Sequence, residues 1–249
     1  SILKLTEEDY NQNGMSELLI SEGNYYDLNI KMFNRIQNTI TGWPGGKPNA
    51  DDSNRPERAL PKKKRSIIFS PHPDDDVISM GGTFDRLVTQ GHEVHVAYQT
   101  SGNIAVSDDE ALKYIEVDSD ISDDKSLYED LKKELLHKEK NTIDSFALRK
   151  LKGTIRKRES LAATRYIGIP DNQVHFLNLP FYESGKIKKN EPTQEDIDIT
   201  NQLIEIVKPH QIFAAGDLAD PHGTHRICLN ILFDSISQLK SKPFMKDCW

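Results

Sequence analysis

Cysteine and long apolar runs are scarce in this chain of 249 residues, and each scarcity excludes a class of protein. Two cysteines cannot supply a disulfide framework or a thiolate zinc site. No apolar run approaches the ~18 residues that a membrane-spanning helix requires, and no signal peptide is visible. Positive charge is not in surplus either: the net charge is −7, so nothing in the composition predicts binding to nucleic acid or to an anionic membrane.

The remaining composition is that of a polar globular chain. Hydrophobic residues make up 36% of the sequence and the mean hydropathy is −0.62, which still allows a core. The length fits one large domain, or one domain with an extension. Because the chain starts with Ser1 rather than methionine, we expect a fragment or a processed chain, and a cytoplasmic setting fits the composition best.

A short apolar run that ends in four ionisable residues is the feature around which the sequence is organised. Ser-Ile-Ile-Phe at 66–69 precedes Pro-His-Pro-Asp-Asp-Asp at 71–76, and apolar residues then recur at helical spacing. The turn therefore joins a strand to an amphipathic helix, at the strand end where open α/β sheets hold their ligands. Four such groups would repel each other unless a cation held them, and histidine with aspartate suits zinc or another divalent transition metal.

A second strand end offers the remaining ligand. Residues 211–217 are predicted to form a strand, and Asp-Pro-His-Gly-Thr-His follows at 220–225 before another helical pattern. His222 and His225 are three residues apart, so on the first turn of a helix they would share a face. Two turns at neighbouring strand ends can converge on one metal.

These two turns together resemble the PIG-L/LmbE-like family of zinc-dependent N-acetylglucosaminide deacetylases, whose usual forms are Ala-His-Pro-Asp-Asp-Glu and His-x-x-His. Arg158 and Glu159, which open the run Ser-Leu-Ala-Ala, resemble the family's Arg-x-Glu-x-x-x-Ala helix. The resemblance covers residues 64–249. Gly-Trp-Pro-Gly-Gly-Lys-Pro at 42–48 is similar to the connector in long bacterial glucosamine-6-phosphate deaminase-like proteins, which carry this domain at their C-terminal end.

The rest of the chain predicts alternating strands and helices. Strands are expected at 93–100 and 174–180, with helices at 156–168 and 193–207, and a loop at 181–185 that could line the site. We expect a Rossmann-like three-layer α/β fold with a mostly parallel sheet, helices on both faces and a metal site at the carboxyl ends of the strands.

The predicted domain organisation has two parts. Residues 1–63 would form an extension or linker with one helix at 25–40, and residues 64–249 would form the deacetylase domain. The charged helical segment 107–157 could be a lid, an oligomer contact or an elaborated crossover. The basic run at 61–65 is either a solvated linker or a phosphate-attracting patch, and charge runs favour the former.

His72, Asp75 and His225 are the expected metal ligands, and they coincide with the family pattern. They would hold zinc or Fe²⁺ and leave one position open for water, as catalytic zinc sites do. Asp74 would be the general base toward that water. The resemblance implies that His222 stabilises the oxyanion as a donor.

Supporting and substrate-binding roles are expected for five further residues. Asp76, which stands where the family has glutamate, and Asp220 could orient the histidines from behind. The resemblance implies that Arg158 binds sugar hydroxyls or a phosphate. Gly102 and Asn103 follow the second strand and are the remaining candidate substrate contacts.

Each feature also has a simpler interpretation. Three aspartates can cap a helix and complement its dipole, and two histidines or one arginine can lie on a surface without a role. Their joint occurrence at two strand ends favours a site. The predicted function is metal-dependent removal of an N-acetyl group from a GlcNAc-type sugar, with the 6-phosphate as a natural candidate.

Two other functions stay open at this point. One is a non-catalytic accessory domain of a glucosamine-6-phosphate deaminase-like enzyme, with a fused upstream deaminase-like domain. The other is a different metal hydrolase. The expected partners are a small-molecule aminosugar and, for a homo-oligomer, further copies of the chain; no nucleic-acid or membrane partner is expected.

Overall fold

The computed structural model describes residues 14–37, 63–121, 126–139, 142–186, 188–217 and 219–248. Helices α1 (Met15–Glu22) and α2 (Tyr25–Gln37) belong to one compact unit, and Arg65–Lys246 forms another. The predicted helix at 25–40 corresponds to α2, and its last three residues lie outside the described ranges, as does the connector at 42–48. Helix α1 is an element that the sequence analysis did not predict.

The larger unit is built on a four-stranded parallel sheet with the strand order β3-β2-β1-β4. The strands are β1 (Arg65–Ser70), β2 (Glu93–Tyr98), β3 (Val174–Phe176) and β4 (Gln211–Ala214). All residues of β1 after Arg65 are buried, because this strand lies inside the sheet and is covered on both faces. The predicted Rossmann-like α/β fold with a parallel sheet is confirmed.

Helices pack on both faces of this sheet, as predicted. The helices of this unit are α3 (Asp75–Thr89), α4 (Asp108–Ile121), α5 (Ser126–His137), α6 (Phe146–Ile167), α7 (Gln194–Val207) and α8 (Thr224–Leu239). Alternate residues of β1 point to opposite faces: Ile67 and Phe69 join a core cluster with residues of α7 and α8, whereas Ile68 joins one with Phe84 and Leu87 of α3.

The pairing of β1 with β4 places two strand ends side by side. Their parallel register runs from Ser66 opposite Gln211 to Phe69 opposite Ala214. Neighbouring strands lie ~4.8 Å apart, so the turn that follows β1 and the loop that follows β4 leave the sheet at the same edge.

The charged segment 107–157 contains α4, α5 and the first part of α6. An apolar cluster of its own joins the three helices, with Ala111 and Ile115 from α4, Leu131 from α5 and Leu148 from α6. The sequence analysis predicted a helix that begins at residue 156. That start is wrong, because the helix in question, α6, begins at Phe146. The side chain of Ser145 accepts a hydrogen bond from the Leu148 amide at 3.2 Å and so caps the helix there.

Ion pairs among two lysines and two aspartates join the rest of this segment to α6. The Lys152 ammonium lies 2.7 Å from Asp108 Oδ1 and 2.7 Å from Asp144 Oδ2, and Lys138 contacts the same two carboxylates. The side chain of Lys152 is only 5% exposed, so its charge depends on these partners. The charged side chains of this segment therefore do not all lie on a solvated face, because some of them pair with one another inside it.

The basic residue that opens β1 lies away from the strand ends that carry the acidic turn. Arg65 is at the amino end of the strand, and its guanidinium donates to the carbonyl groups of Val207 and Lys208. This position does not fit a phosphate-attracting patch at the site entrance; residues 61 and 62 are outside the described ranges. In the part of the chain that the structure describes, we find no helix with the length and apolarity to span a membrane.

We predict that Lys152→Met lowers the free energy of unfolding by about 2 kcal/mol, because it leaves two partly buried carboxylates with one ammonium. Urea unfolding would measure the change. Lys132→Met is the matched control, since Lys132 pairs with Glu116 at the surface and should cost less than about 1 kcal/mol. Equal losses for the two variants would show that the cluster does not stabilise the segment.

Candidate metal centre

A network of hydrogen bonds holds the turn after β1. Ser70 Oγ donates to the His72 carbonyl at 2.6 Å and accepts from the Asp76 amide at 3.0 Å, and the Tyr98 hydroxyl donates to Asp76 Oδ2 at 2.8 Å. Burial raises the pKa of Asp76, although these hydrogen bonds oppose the shift. Asp76 thus supports the backbone of the turn, and we see no contact from it to the histidine rings among the described residues.

Three side chains from the two turns meet at the sheet edge. His72 Nδ1 lies 3.1 Å from His225 Nε2 and 3.3 Å from Asp75 Oδ2, and His225 Nε2 lies 3.2 Å from Asp75 Oδ2. The three side chains are between 13% and 21% exposed. Within the described ranges, His72, Asp75 and His225 form the group of three whose ligand atoms are close enough to hold one metal ion.

The spacing of these atoms fits a metal with an open position. Tetrahedral zinc with bonds of ~2.0–2.1 Å separates its ligand atoms by ~3.3–3.4 Å, close to the three separations in this cluster. Two imidazole nitrogens and one carboxylate oxygen also form a donor set that divalent transition metals prefer. These residues could therefore hold a metal and leave a face for water or substrate.

The carboxylate of the cluster is charged under ordinary conditions. Burial alone would raise the pKa of Asp75, yet the hydrogen bonds from His72 and the nearby imidazoles bring it below the usual value. One of these bonds comes from the His72 backbone amide, at 2.8 Å from Asp75 Oδ2. Asp75 Oδ2 thus accepts a hydrogen bond within the turn and also faces the two imidazoles.

Asp220 organises the turn on the β4 side. Its Oδ1 accepts from the His222 amide and its Oδ2 from the His225 amide, each at 3.1 Å. Burial opposes its charge, but these bonds and the imidazoles keep the pKa of Asp220 below the usual value. Asp220 therefore orients the histidines through their backbone rather than through their rings, and His225 Nδ1 is buried without a hydrogen-bond partner.

The structure corrects the expectation for His222. Helix α8 begins at Thr224, after Gly223 in the left-handed conformation, so His222 precedes the helix and does not share its first turn with His225. His222 is exposed, and the hydrogen bond described for it comes from its backbone. Of the two histidines, only His225 joins the cluster of ligand atoms.

Of the two arginines at 156 and 158, it is Arg156 that contacts the turn after β1. Arg156 Nη2 lies 2.8 Å from Asp74 Oδ2 and 2.8 Å from the Pro73 carbonyl, and Nη1 lies 2.9 Å from Glu159. Arg158 is exposed, and its charge acts on Asp171 instead. Two residues correspond to about 200° of helix rotation, so Arg156 and Arg158 point to opposite sides of α6.

A regular spacing in the sequence could have identified Arg156. Lys152, Ser160 and Thr164 are buried and lie on the inner face of α6. Residues four apart share a face of a helix, and Arg156 falls in this series at 152, 156, 160 and 164. Its position faces the turn, whereas 158 falls between two members of the series.

The loop after β2 contacts the turn through its backbone. Gly102 packs against Pro73 so closely that a Cβ there would lie 2.7 Å from the proline Cδ. Asn103 is buried, and its amide donates to Ser101 Oγ at 2.7 Å and to Glu183 Oε2 at 3.3 Å. These contacts give both residues a place in the wall of the site, and a substrate contact for them stays a prediction.

Residues of the loop after β3 complete the surroundings of the cluster. The ring of Tyr182 meets the ring of His72 edge-on, with centroids 5.8 Å apart. Glu183 accepts from the amide and the hydroxyl of Ser101, each at 3.0 Å. The sequence indicated a lining loop here, but not which side chains reach His72 and the loop after β2.

The fold is a parallel α/β sheet, and two imidazoles and a carboxylate meet at the carboxyl ends of its strands. This defines a class of proteins that could use a metal ion at those strand ends. A family model described as PIG-L, GlcNAc-PI de-N-acetylase, matches residues 67–236. The chain therefore belongs to the PIG-L family, which is a family of de-N-acetylases.

A longer protein is similar in sequence to nearly the whole chain. It is a Bacteroides thetaiotaomicron protein named as glucosamine-6-phosphate deaminase-like, and the two sequences are 54% identical over 258 aligned residues. The alignment covers 99% of this chain and 39% of that protein, so the chain spans about two fifths of the length of its relative. This agrees with a domain that belongs to a longer protein.

We predict that His225→Ala abolishes stoichiometric binding of a divalent metal, because it removes one of three ligand atoms. His222→Ala should retain the metal, since His222 lies outside the cluster. Metal analysis after dialysis against one equivalent of zinc would compare both variants with the unaltered chain. Equal retention by the two variants would contradict the assignment of His225 as a ligand.

Proposed function

We propose that the chain is a metal-dependent hydrolase that removes the N-acetyl group from a GlcNAc-type sugar. The observation that carries this proposal is the convergence of His72, Asp75 and His225, with Asp74 directly before Asp75 in the same turn. Zinc is the metal that the donor set favours, with Fe²⁺ as the alternative. When bound, it would supply a water molecule with a pKa near ~7 and a Lewis acid for the acyl oxygen.

Asp74 is the general base in this proposal. It is the N-cap of α3, directly before the ligand Asp75, and its side chain is 43% exposed, so substrate and water can reach it. The carboxylate takes a proton from the attacking water as the C–O bond forms. It then delivers that proton to the sugar nitrogen as the C–N bond breaks, which yields acetate and the free amine.

Arg156 is the positioning residue for this base. Its Nη2 holds Asp74 Oδ2 and the Pro73 carbonyl at the same time, while Glu159 holds its other terminal nitrogen. A planar guanidinium with fixed partners limits the orientations open to the carboxylate. Asp74 can thus present its second oxygen, Oδ1, to the water.

His222 is proposed as the donor to the developing oxyanion. It lies on the turn that Asp220 fixes, three residues before His225, and its exposed ring can reach a bound substrate. As an imidazolium it would donate a charge-assisted hydrogen bond where negative charge accumulates. Gly102 and Asn103 are proposed to line the sugar-binding side.

The fusion with a deaminase-like partner is also a proposal. The relative that aligns with nearly the whole chain is named as glucosamine-6-phosphate deaminase-like and is more than twice as long. We propose that residues 64–249 are the deacetylase domain, that residues 1–63 are its extension, and that an upstream deaminase-like domain accompanies them in a cytoplasmic enzyme. A homo-oligomer stays a prediction.

The second candidate function is a non-catalytic accessory domain of such an enzyme. The observation that favours it is the small share of the relative that this chain covers, since the named activity could lie wholly in the remainder. An accessory domain would bind metal and sugar without turnover. Acetate release therefore separates the two functions, whereas metal content does not.

We predict metal-dependent release of acetate from N-acetylglucosamine or its 6-phosphate, abolished by a chelator and restored by zinc. Asp74→Asn should retain the metal and lose about 100-fold or more of kcat, because the amide cannot accept the proton. Coupled acetate detection would measure both. No release by the metal-loaded chain would favour the accessory domain, and an active Asp74→Asn variant would exclude Asp74 as the base.

We predict that Arg156→Gln lowers kcat by at least about tenfold, because the base loses its orientation. The matched control is Arg158→Gln on the same helix, which should leave kcat unchanged because Arg158 does not contact Asp74. Equal effects of the two substitutions on kcat would contradict this role.

A further inference from the structure

Lys189 contacts the aromatic ring that adjoins the candidate metal centre. Its Nζ lies 4.1 Å from the centroid of the Tyr182 ring, and the same ring meets His72 edge-on at 5.8 Å between centroids. Tyr182 is buried. One fixed ring therefore separates the ammonium of Lys189 from a ligand of the cluster.

The loop that carries Tyr182 and Lys189 is anchored on two sides. The Glu183 carboxylate binds the amide and hydroxyl of Ser101, and the Glu183 carbonyl accepts from Arg149 Nη1 at 2.6 Å. Arg149 also packs on Gly185, where a Cβ would lie 2.6 Å from its Cδ. These contacts fix the first part of the loop, and Lys189 packs back on it through the Tyr182 ring.

The charge of Lys189 is left without a carboxylate partner in the described part of the chain. Its Nζ donates to the Lys186 carbonyl at 3.1 Å, and no ion pair with an acidic side chain is formed there. Burial lowers the pKa of Lys189, and the field of Glu183 only opposes that shift. The oxygens of Glu183 already accept hydrogen bonds from Ser101 and Asn103.

Two arginines near the cluster already have partners within the protein. Both terminal nitrogens of Arg156 are engaged with Asp74, Glu159 and the Pro73 carbonyl, and Arg149 donates to the Glu183 carbonyl. The chain as a whole carries a net charge of −7, which opposes the approach of an anionic substrate. The partly buried ammonium of Lys189, on the ring that contacts His72, is a local cation that could bind one.

We propose that Lys189 is a specificity-determining residue that binds a phosphate monoester on the aminosugar substrate; this rests on the proposed deacetylation at the same site. A phosphate monoester carries between one and two negative charges near neutral pH and three acceptor oxygens. Lysine binds such a group as a point charge and needs no fixed planar geometry. The substrate class is thus the phosphorylated N-acetyl aminosugars.

Calorimetric titration of the zinc-loaded chain with glucosamine 6-phosphate and with glucosamine tests this inference without turnover. The unaltered chain should bind the phosphorylated sugar at least about tenfold more tightly, the gain expected for one charge-assisted hydrogen bond. Lys189→Met should remove that preference. Lys189→Arg, which keeps the charge, should retain most of it.

Lys188→Met is the matched control, because Lys188 is an exposed lysine of the same loop. It should leave the preference unchanged. Equal or absent binding of the two sugars by the unaltered chain, or a preference that survives in Lys189→Met, would overturn the inference. So would an equal loss in the Lys188→Met variant.

Acetate release separates this inference from the proposed function. Release with the same kcat/KM from N-acetylglucosamine and its 6-phosphate would leave deacetylation intact and overturn the role of Lys189. A binding preference that depends on Lys189, in a chain that releases no acetate from either sugar, would support phosphate recognition and refute the deacetylase.

Discussion

The parallel pairing of β1 with β4 brings together two turns that neither strand could complete alone. His72 and His225 are 153 residues apart in sequence, yet their ring nitrogens lie 3.1 Å apart because the two strands end side by side. A carboxylate joins them in surroundings that are mostly buried. Groups so close together at low exposure are stable when a cation is shared among them, which makes the sheet edge a place for a metal.

Each strand end contributes a different part of the site. In the proposed site, the turn after β1 would supply two ligand atoms and the base, and the turn after β4 would supply the third ligand from His225, whose backbone amide donates to Asp220. The loops after β2 and β3 join each other through Glu183 and place Tyr182 against His72. Buried hydrogen bonds beneath the turn, from Ser70 and Tyr98, hold the arrangement in one geometry. The site is thus built from four loops on one rigid sheet.

The parts of this arrangement that local sequence could predict are those encoded by neighbouring residues. The β1 turn and the β4 turn each combine an apolar strand, charged residues and an amphipathic helix, so their place at strand ends was predictable. The choice between Arg156 and Arg158 depends on the phase of α6, and the start of that helix at Phe146 is marked in the sequence only by the N-cap Ser145 in a charged stretch. The burial of Lys152 and the start of α8 after Gly223 depend on tertiary contacts and on one backbone conformation, which composition does not reveal.

Membership of the PIG-L family and the geometry of the cluster both support the central proposal, that a single metal binds between the two turns. Anomalous diffraction at the zinc edge, from crystals of the chain loaded with one equivalent of zinc, tests that claim most directly. The structure predicts one strong peak at ~2.0–2.1 Å from His72 Nδ1, Asp75 Oδ2 and His225 Nε2. A peak held by other residues, or none between these three atoms, would contradict it.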